Sequence, residues 1–220
     1  MAKRKVTKKY YFSVEGETEQ WYLKRLQELI NTTEDSSYNV SFDCPIQKNP
    51  VKRAKSLVIT GKTEIYHISD YESADEMHVK GFQNTIDNLK DAKNVGKQIN
   101  YKFGYSNLTF DLWIILHKID CRAAITHRKN YVSHLNRAYG ENFENMDAYK
   151  HEVNFKRCLQ KISLSDVIAA ISRAKEIMKR NEENGYVLQQ YKGYTYYREN
   201  PSLMIWEPIE KILKDCALVR

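Results

Sequence analysis

Residues 9–26 read KYYFSVEGETEQWYLKRL, and the reading of this stretch decides the fold. Its first part, Lys9 to Val14, is aromatic, β-branched and short, which predicts a strand over 9–14. The period then changes. Tyr22, Leu23, Leu26, Leu29 and Ile30 share one face of a helix predicted over 18–31, with Thr18 as its expected N-cap. Between the two lie Glu15, Glu17 and Glu19. Carboxylates this close repel by about 1 to 4 kcal/mol per pair, depending on the local dielectric. Their place at the end of an apolar strand needs a reason.

The same alternation continues outward. Val40, Phe42 and Cys44 alternate over 39–44, EIYHIS marks a strand over 64–69, and Ile99, Tyr101, Phe103 and Tyr105 mark one over 98–105. Helical periods separate them, over 50–60, 75–93 and 107–118. Strands alternating with helices predict an α/β domain with a central, mostly parallel sheet flanked by helices. After about residue 120 the pattern turns helical, over 129–139, 147–161, 164–183 and 201–217, with Gly185 as a stop and 191–201 as an aromatic, basic loop. The expected organisation is a catalytic α/β domain over 1–122 and a helical C-terminal region over 123–220 packed on it.

The chain has 220 residues, a 42% hydrophobic share and a 29% charged share, which places it among globular proteins. No apolar run reaches the roughly 20 residues of a membrane span. The basic start, MAKRKVTKKYYF, lacks the long apolar stretch and cleavage site of a signal peptide. Cys44, Cys121, Cys158 and Cys216 are scattered without a CxxC pair, so reduced thiols and a cytoplasmic location are expected. The net charge of +7 suits a polyanionic partner, first of all nucleic acid. Lys3, Arg4, Lys5, Lys8 and Lys9 would either grip phosphates or form a solvated terminus.

In an open parallel sheet, ligands bind beyond the carboxyl ends of the strands. The acidic residues fall there: Glu15, Glu17 and Glu19 after the first strand, Asp70 and Glu72 after the third, then Asp75 and Glu76. If these two strands are neighbours, Glu15 and Asp70 meet. A hard divalent cation, Mg2+ or Mn2+, would supply the missing counter-charge through oxygen ligands. Glu17 reads instead as an acid suited to a helix start.

V-E-G-x-T-E after one strand and D-x-[DE] after a later one resemble the topoisomerase–primase (Toprim) domain, through Glu15 and Asp70-Tyr71-Glu72. YSNLTFDLWIILHK, 105–118, resembles the Y-S-N-P-x-F-E-L-W-L-L-L-H segment of RloB-like proteins, the group that includes AbiLii. EGETEQWYLKRL and NPSLMIWEPIEKIL, 200–213, resemble further segments of that group, and Tyr149-Lys150 a Y-x-K-type element. The chain departs from the pattern in having one residue fewer between Gly16 and Thr18, Glu72 for Asp, Leu108 for Pro and Asp111 for Glu.

The resemblance implies a Toprim-like Rossmannoid fold and a metal-dependent nuclease of bacterial antiphage defence, acting on RNA such as tRNA or on DNA, with an ATPase partner encoded nearby. It implies Glu15 as metal ligand or general acid/base, and Asp70 and Glu72 as metal ligands. Glu19 joins them if a turn at Gly16, using glycine's backbone freedom, folds the helix start back. Asp111 lies one helical turn after Asn107 on the expected helix and is a further candidate ligand. Ser106 and Asn107 are candidates for a phosphate or water at that helix start, Asn107 with an ordinary N-cap as its alternative. His117 is a candidate base or substrate contact, or a core histidine, and Lys150 a candidate phosphate contact. His67 and Trp113 read as core. The alternative function is a nucleic-acid-binding regulatory subunit with a weak acidic site. Whether the chain forms a homo-oligomer stays open.

Overall fold

A computed structural model describes residues 5–220; Lys3 and Arg4 of the basic start lie outside the described residues. Four parallel strands, β1 (Thr7–Ser13), β2 (Asn39–Asp43), β3 (Thr63–Tyr71) and β4 (Ile99–Asn107), form one sheet in the order β2-β1-β3-β4. Helices α1 (Glu17–Thr32), α2 (Pro50–Ser56) and α3 (Glu76–Asp91) connect them, and α4 (Asp111–Leu116) follows β4. Each strand thus feeds a helix that returns the chain to start the next strand in parallel, as β–α alternation requires. The C-terminal part holds α5 (Tyr131–Tyr139), α6 (Met146–Lys150), α7 (Glu152–Gln160), α8 (Leu164–Glu183) and α9 (Trp206–Asp215).

Burial explains the assignments. Tyr10, Phe12 and Val14 are buried on one side of β1, and Tyr22, Leu23, Leu26 and Ile30 form the stripe of α1 that covers them. One continuous apolar cluster runs from Tyr10 through Trp113 and Leu135 to Ile171 and Leu213, so helices of the C-terminal part share a core with the sheet. Trp113 and His67 are fully buried, as their positions suggested, and all four cysteines are buried free thiols. Among the described residues no helix is long and apolar enough to cross a membrane.

Several expected elements differ, for local reasons. The N-cap of α1 is Gly16, not Thr18, and it makes no side-chain cap hydrogen bond. Gly16 has φ −148° and ψ −179°, extended backbone open to any residue, so its value is not backbone freedom. A Cβ there would stand 3.0 Å from Glu19 Oε2, so what matters is the absent side chain. The helix expected over 147–161 divides at His151 into α6 and α7. Residues 191–201 are not all loop: β5 (Gln189–Tyr191) and β6 (Tyr194–Tyr196) pair antiparallel. Their two-residue turn, Lys192-Gly193, holds both residues at positive φ, 48° and 90°, which suits the strand twist and calls for glycine at the second position.

The helix expected over 201–217 starts only at Trp206, because the chain before it closes the free edge of β4. The Met204 N–H donates to the Tyr105 carbonyl at 2.8 Å and the Asn107 N–H to the Ser202 carbonyl at 2.8 Å. Gly104 permits this approach, since a Cβ there would lie 3.3 Å from Ile205 Cα.

Candidate functional site

Because β1 and β3 are neighbours, their carboxyl ends deliver Glu15 and Asp70 to one place. Glu15 Oε2 accepts the Asp70 backbone N–H at 3.2 Å, and Glu15 Oε1 accepts the Ser69 hydroxyl at 2.9 Å. Glu19, in the first turn of α1 and four residues after Glu15, is buried. Asp111 opens α4 just beyond β4 and is fully buried. Thr109 donates its hydroxyl to Asp111 Oδ2 at 2.7 Å, and Lys150, at the end of α6, brings its ammonium to 3.2 Å from the same oxygen. The turn between β4 and α4 passes through Leu108 at φ 62°, with its N–H bonded to the Tyr71 carbonyl. Proline, locked near −65°, has no access to that conformation.

These side chains shift one another. Burial raises the Asp70 carboxyl well above its ordinary range, and the charges of Glu19, Glu15 and Asp111 raise it further. Glu19 is raised by burial and then by Glu15. Glu15 is raised by burial, with the Asp70 N–H and the Ser69 hydroxyl acting against it, along with the charge of Lys48. Burial alone would lower Lys150, but Asp111, Asp70 and Glu19 hold it above its usual value. One oxygen each of Glu19, Asp70 and Asp111 is buried without a hydrogen-bond partner. An unpaired buried carboxylate oxygen is costly, so this corner is unsatisfied by its own protein groups.

The donor set is all oxygen, which fits a hard divalent cation. Glu15, Glu19, Asp70 and Asp111 are the residues that would hold it. Among the described residues, however, no three His, Cys, Asp or Glu side chains already stand together in a group able to hold a metal ion.

Other candidates are placed differently. Glu72 sits at the rim, 48% exposed, with Oε2 3.1 Å from His78 Nε2, and is not among the charges that most raise Asp70. Ser106 and Asn107 do not open a helix; they end β4 and are buried. The Ser106 hydroxyl donates to the Thr109 carbonyl at 2.8 Å. The Asn107 amide donates to the carbonyls of Arg198 and Glu199 at 2.9 and 3.0 Å, so it ties 198–199 to the sheet end and has no donor left for a phosphate. His117 is buried against Trp113 and Tyr22: Nδ1 lies 2.8 Å from the Trp113 carbonyl and Nε2 3.3 Å from the Tyr22 hydroxyl. Burial pushes its pKa down to about 4, the state of a core histidine without access to substrate.

Ser69 and Thr109, which orient Glu15 and Asp111, escaped the sequence reading. Each is a hydroxyl one or two residues from its acid or from the acid's neighbour, a signal too common to select alone. Arg128 and Lys129, exposed beside Lys150, were also missed.

The RloB-like protein family model matches residues 10–212, nearly the whole length, and the chain belongs to that family. Comparison with curated proteins and with solved structures gives no match.

Proposed function

We propose that this RloB-like chain is a divalent-metal-dependent nuclease that hydrolyses phosphodiester bonds in RNA or DNA. The observation that carries the reading is the convergence of Glu15, Glu19, Asp70 and Asp111 at the carboxyl end of the sheet, with three buried oxygens lacking partners. Mutual repulsion at such a corner is a cost that a bound cation removes. When bound, Mg2+ or Mn2+ supplies Lewis acidity and an activated water.

The chain's own groups do the rest. Ser69 and the Asp70 N–H fix the Glu15 carboxylate, which burial makes more basic than an exposed glutamate and so better suited to accept a proton from the attacking water. Asp70, at the end of β3, Asp111, at the start of α4, and Glu19, in the first turn of α1, are the residues that would hold the cation. Lys150, within this acidic corner, faces the negative charge that grows on the phosphoryl oxygens. Glu72, at the rim, enters the set if it leaves His78. The family resemblance adds Toprim ancestry, a role as effector in antiphage defence and an ATPase partner to the proposal.

A second reading, a nucleic-acid-binding regulatory subunit, draws on two observations: among the described residues no three acids stand ready as a metal-binding group, and an ammonium already occupies part of the corner.

A cleavage assay separates the two. The chain is incubated with plasmid, single-stranded DNA and tRNA in Mg2+, Mn2+ or EDTA, beside Glu15→Gln and Asp70→Asn. The nuclease reading expects metal-dependent cleavage that falls by at least about a hundredfold in either variant. Cleavage by Asp70→Asn at the wild-type rate would overturn it.

A further inference from the structure

Next to the acidic corner is a cavity of about 590 Å³ that the carboxylates do not explain. It lies between α6 and the turn that leads into α5. Three cations line it: Arg128, Lys129 and Lys150. Lys150 is also the residue whose ammonium pairs with Asp111, so the cavity adjoins the corner through this side chain. Arg128 and Lys129 are exposed and, among the described residues, have no carboxylate partner within 4 Å, whereas Arg122, nearby in the same loop, pairs with Asp120. Arg128 also borders the smaller cavity of about 210 Å³ that holds Glu72 and His78, so it stands between both sides of the corner.

The rest of the lining is not that of a bare phosphate site. Val132 and Met146 give it an apolar wall, while Glu144 and Asp147 place acceptors at its edge. Cations on one side, apolar carbon on another and carboxylate acceptors at the edge match the three parts of a nucleotide. They suit its phosphate, the face of its base and the amino groups on the base edge. The volume lies within the roughly 300–1,000 Å³ range of pockets that enclose a small ligand. A base stacked and paired in a duplex cannot present its face to Val132 and Met146. An unpaired one can.

We propose that this cavity receives one unpaired nucleotide adjoining the phosphate at the acidic corner, and that the chain therefore selects single strands or unpaired loops over duplex. Arg128 and Lys129 hold the flanking phosphate, and Val132 and Met146 take the base. The assignment rests on the nuclease reading for its orientation, but its test does not need cleavage.

Fluorescence anisotropy in EDTA compares a labelled single strand with its blunt duplex, using the full chain carrying Glu15→Gln. The single strand is expected to bind at least tenfold tighter. The double variant Arg128→Ala/Lys129→Ala, on exposed positions that leave the fold intact, is expected to weaken single-strand binding by on the order of tenfold. It should also reduce the slope of log K against log salt by about 1.4, as two lost phosphate contacts on a single strand require. Val132→Trp, which fills the apolar wall, should weaken binding without changing that slope. Equal binding of duplex, or unchanged affinity and slope in the double variant, would overturn the proposal. Loss of the nuclease reading would show instead as absent metal-dependent cleavage with these binding differences preserved.

Discussion

Two neighbouring positions on the same edge of the sheet treat a carboxylate in opposite ways. At the end of β2, Asp43 has its counter-charge built in: Arg53 Nη2 lies 2.7 Å from Oδ1, and Lys9 lies 3.4 Å from Oδ2. The Arg53 guanidinium is buried and also donates to the carbonyls of Phe12 and Asp43, at 3.1 and 3.2 Å. Beyond β1 and β3, Glu15, Glu19, Asp70 and Asp111 crowd together with one ammonium in contact, and three oxygens stay unpaired. One corner is complete as folded. The other holds repulsion that an incoming cation would relieve. The difference teaches that carboxylates near strand ends are distinguished by the partners around them, not by their charge alone.

Removing the built-in partner should show the largest effect. Arg53→Ala removes the guanidinium that pairs with the Asp43 carboxylate and bonds the Phe12 and Asp43 carbonyls, and it is expected to cost about 2–3 kcal/mol in urea denaturation, discounted because Asp43 is partly exposed. A cost below about 0.5 kcal/mol would remove the contrast between the corners.

At the other corner the sign should reverse. Asp70 titrates above its unfolded value, so the folded state binds its proton more tightly than the unfolded chain does. The resulting destabilisation is fully present above the folded pKa and vanishes below the unfolded value of about 3.9. Asp70→Asn should therefore stabilise the metal-free protein at pH 7, on the order of 1 kcal/mol, a fraction of what two like charges 4 Å apart exchange at an effective dielectric near 20. The gain should disappear by pH 3.5. Mg2+ should raise the melting temperature of the wild type more than that of the variant. Asp70→Asn less stable than wild type at pH 7 would mean that this corner, too, is satisfied as folded.

The smallest effect sharpens the comparison most finely. Gly16→Ala places a methyl against Glu19 Oε2, and the carboxylate tip must give by a few tenths of an ångström. Stability should change by less than about 1 kcal/mol, the usual range for this exchange at an N-cap. Cleavage should fall further than stability does, because one acid has moved. Equal falls in both would assign Gly16 to packing alone.

Much of this was legible in the sequence. Alternating aromatic and β-branched runs marked all four parallel strands, and Glu15 and Asp70 were singled out by their places at strand ends together with the Toprim-like resemblance, although β3 continues through Asp70 to Tyr71. The errors arose where distant segments decide local form. Asn107 looked like the start of a helix because NLTF leads into an apolar run. Pairing with 202–204 extends β4 through it instead, and its amide is taken up by 198–199. His117 reads from the sequence as either a substrate contact or a core histidine, and its surroundings in Trp113 and Tyr22, from α4 and α1 together, match the core reading. Arg128 and Lys129 drew no attention because a basic dipeptide in a polar loop has no periodicity to betray it.

The strap formed by Ser202 and Met204 on β4 has a consequence for biosynthesis. The edge it covers is complete once Asn107 leaves the ribosome, but the strap follows about 95 residues later, roughly 5–20 s at 5–20 residues per second. For that interval the nascent chain carries an open strand edge, the kind of surface on which chains aggregate or chaperones act. Lys150 emerges within the same interval, so all four carboxylates of the acidic corner are synthesised before their ammonium and before the wall that seals the sheet. A chain interrupted in this window would be expected to be retained or degraded rather than released with its sheet edge open.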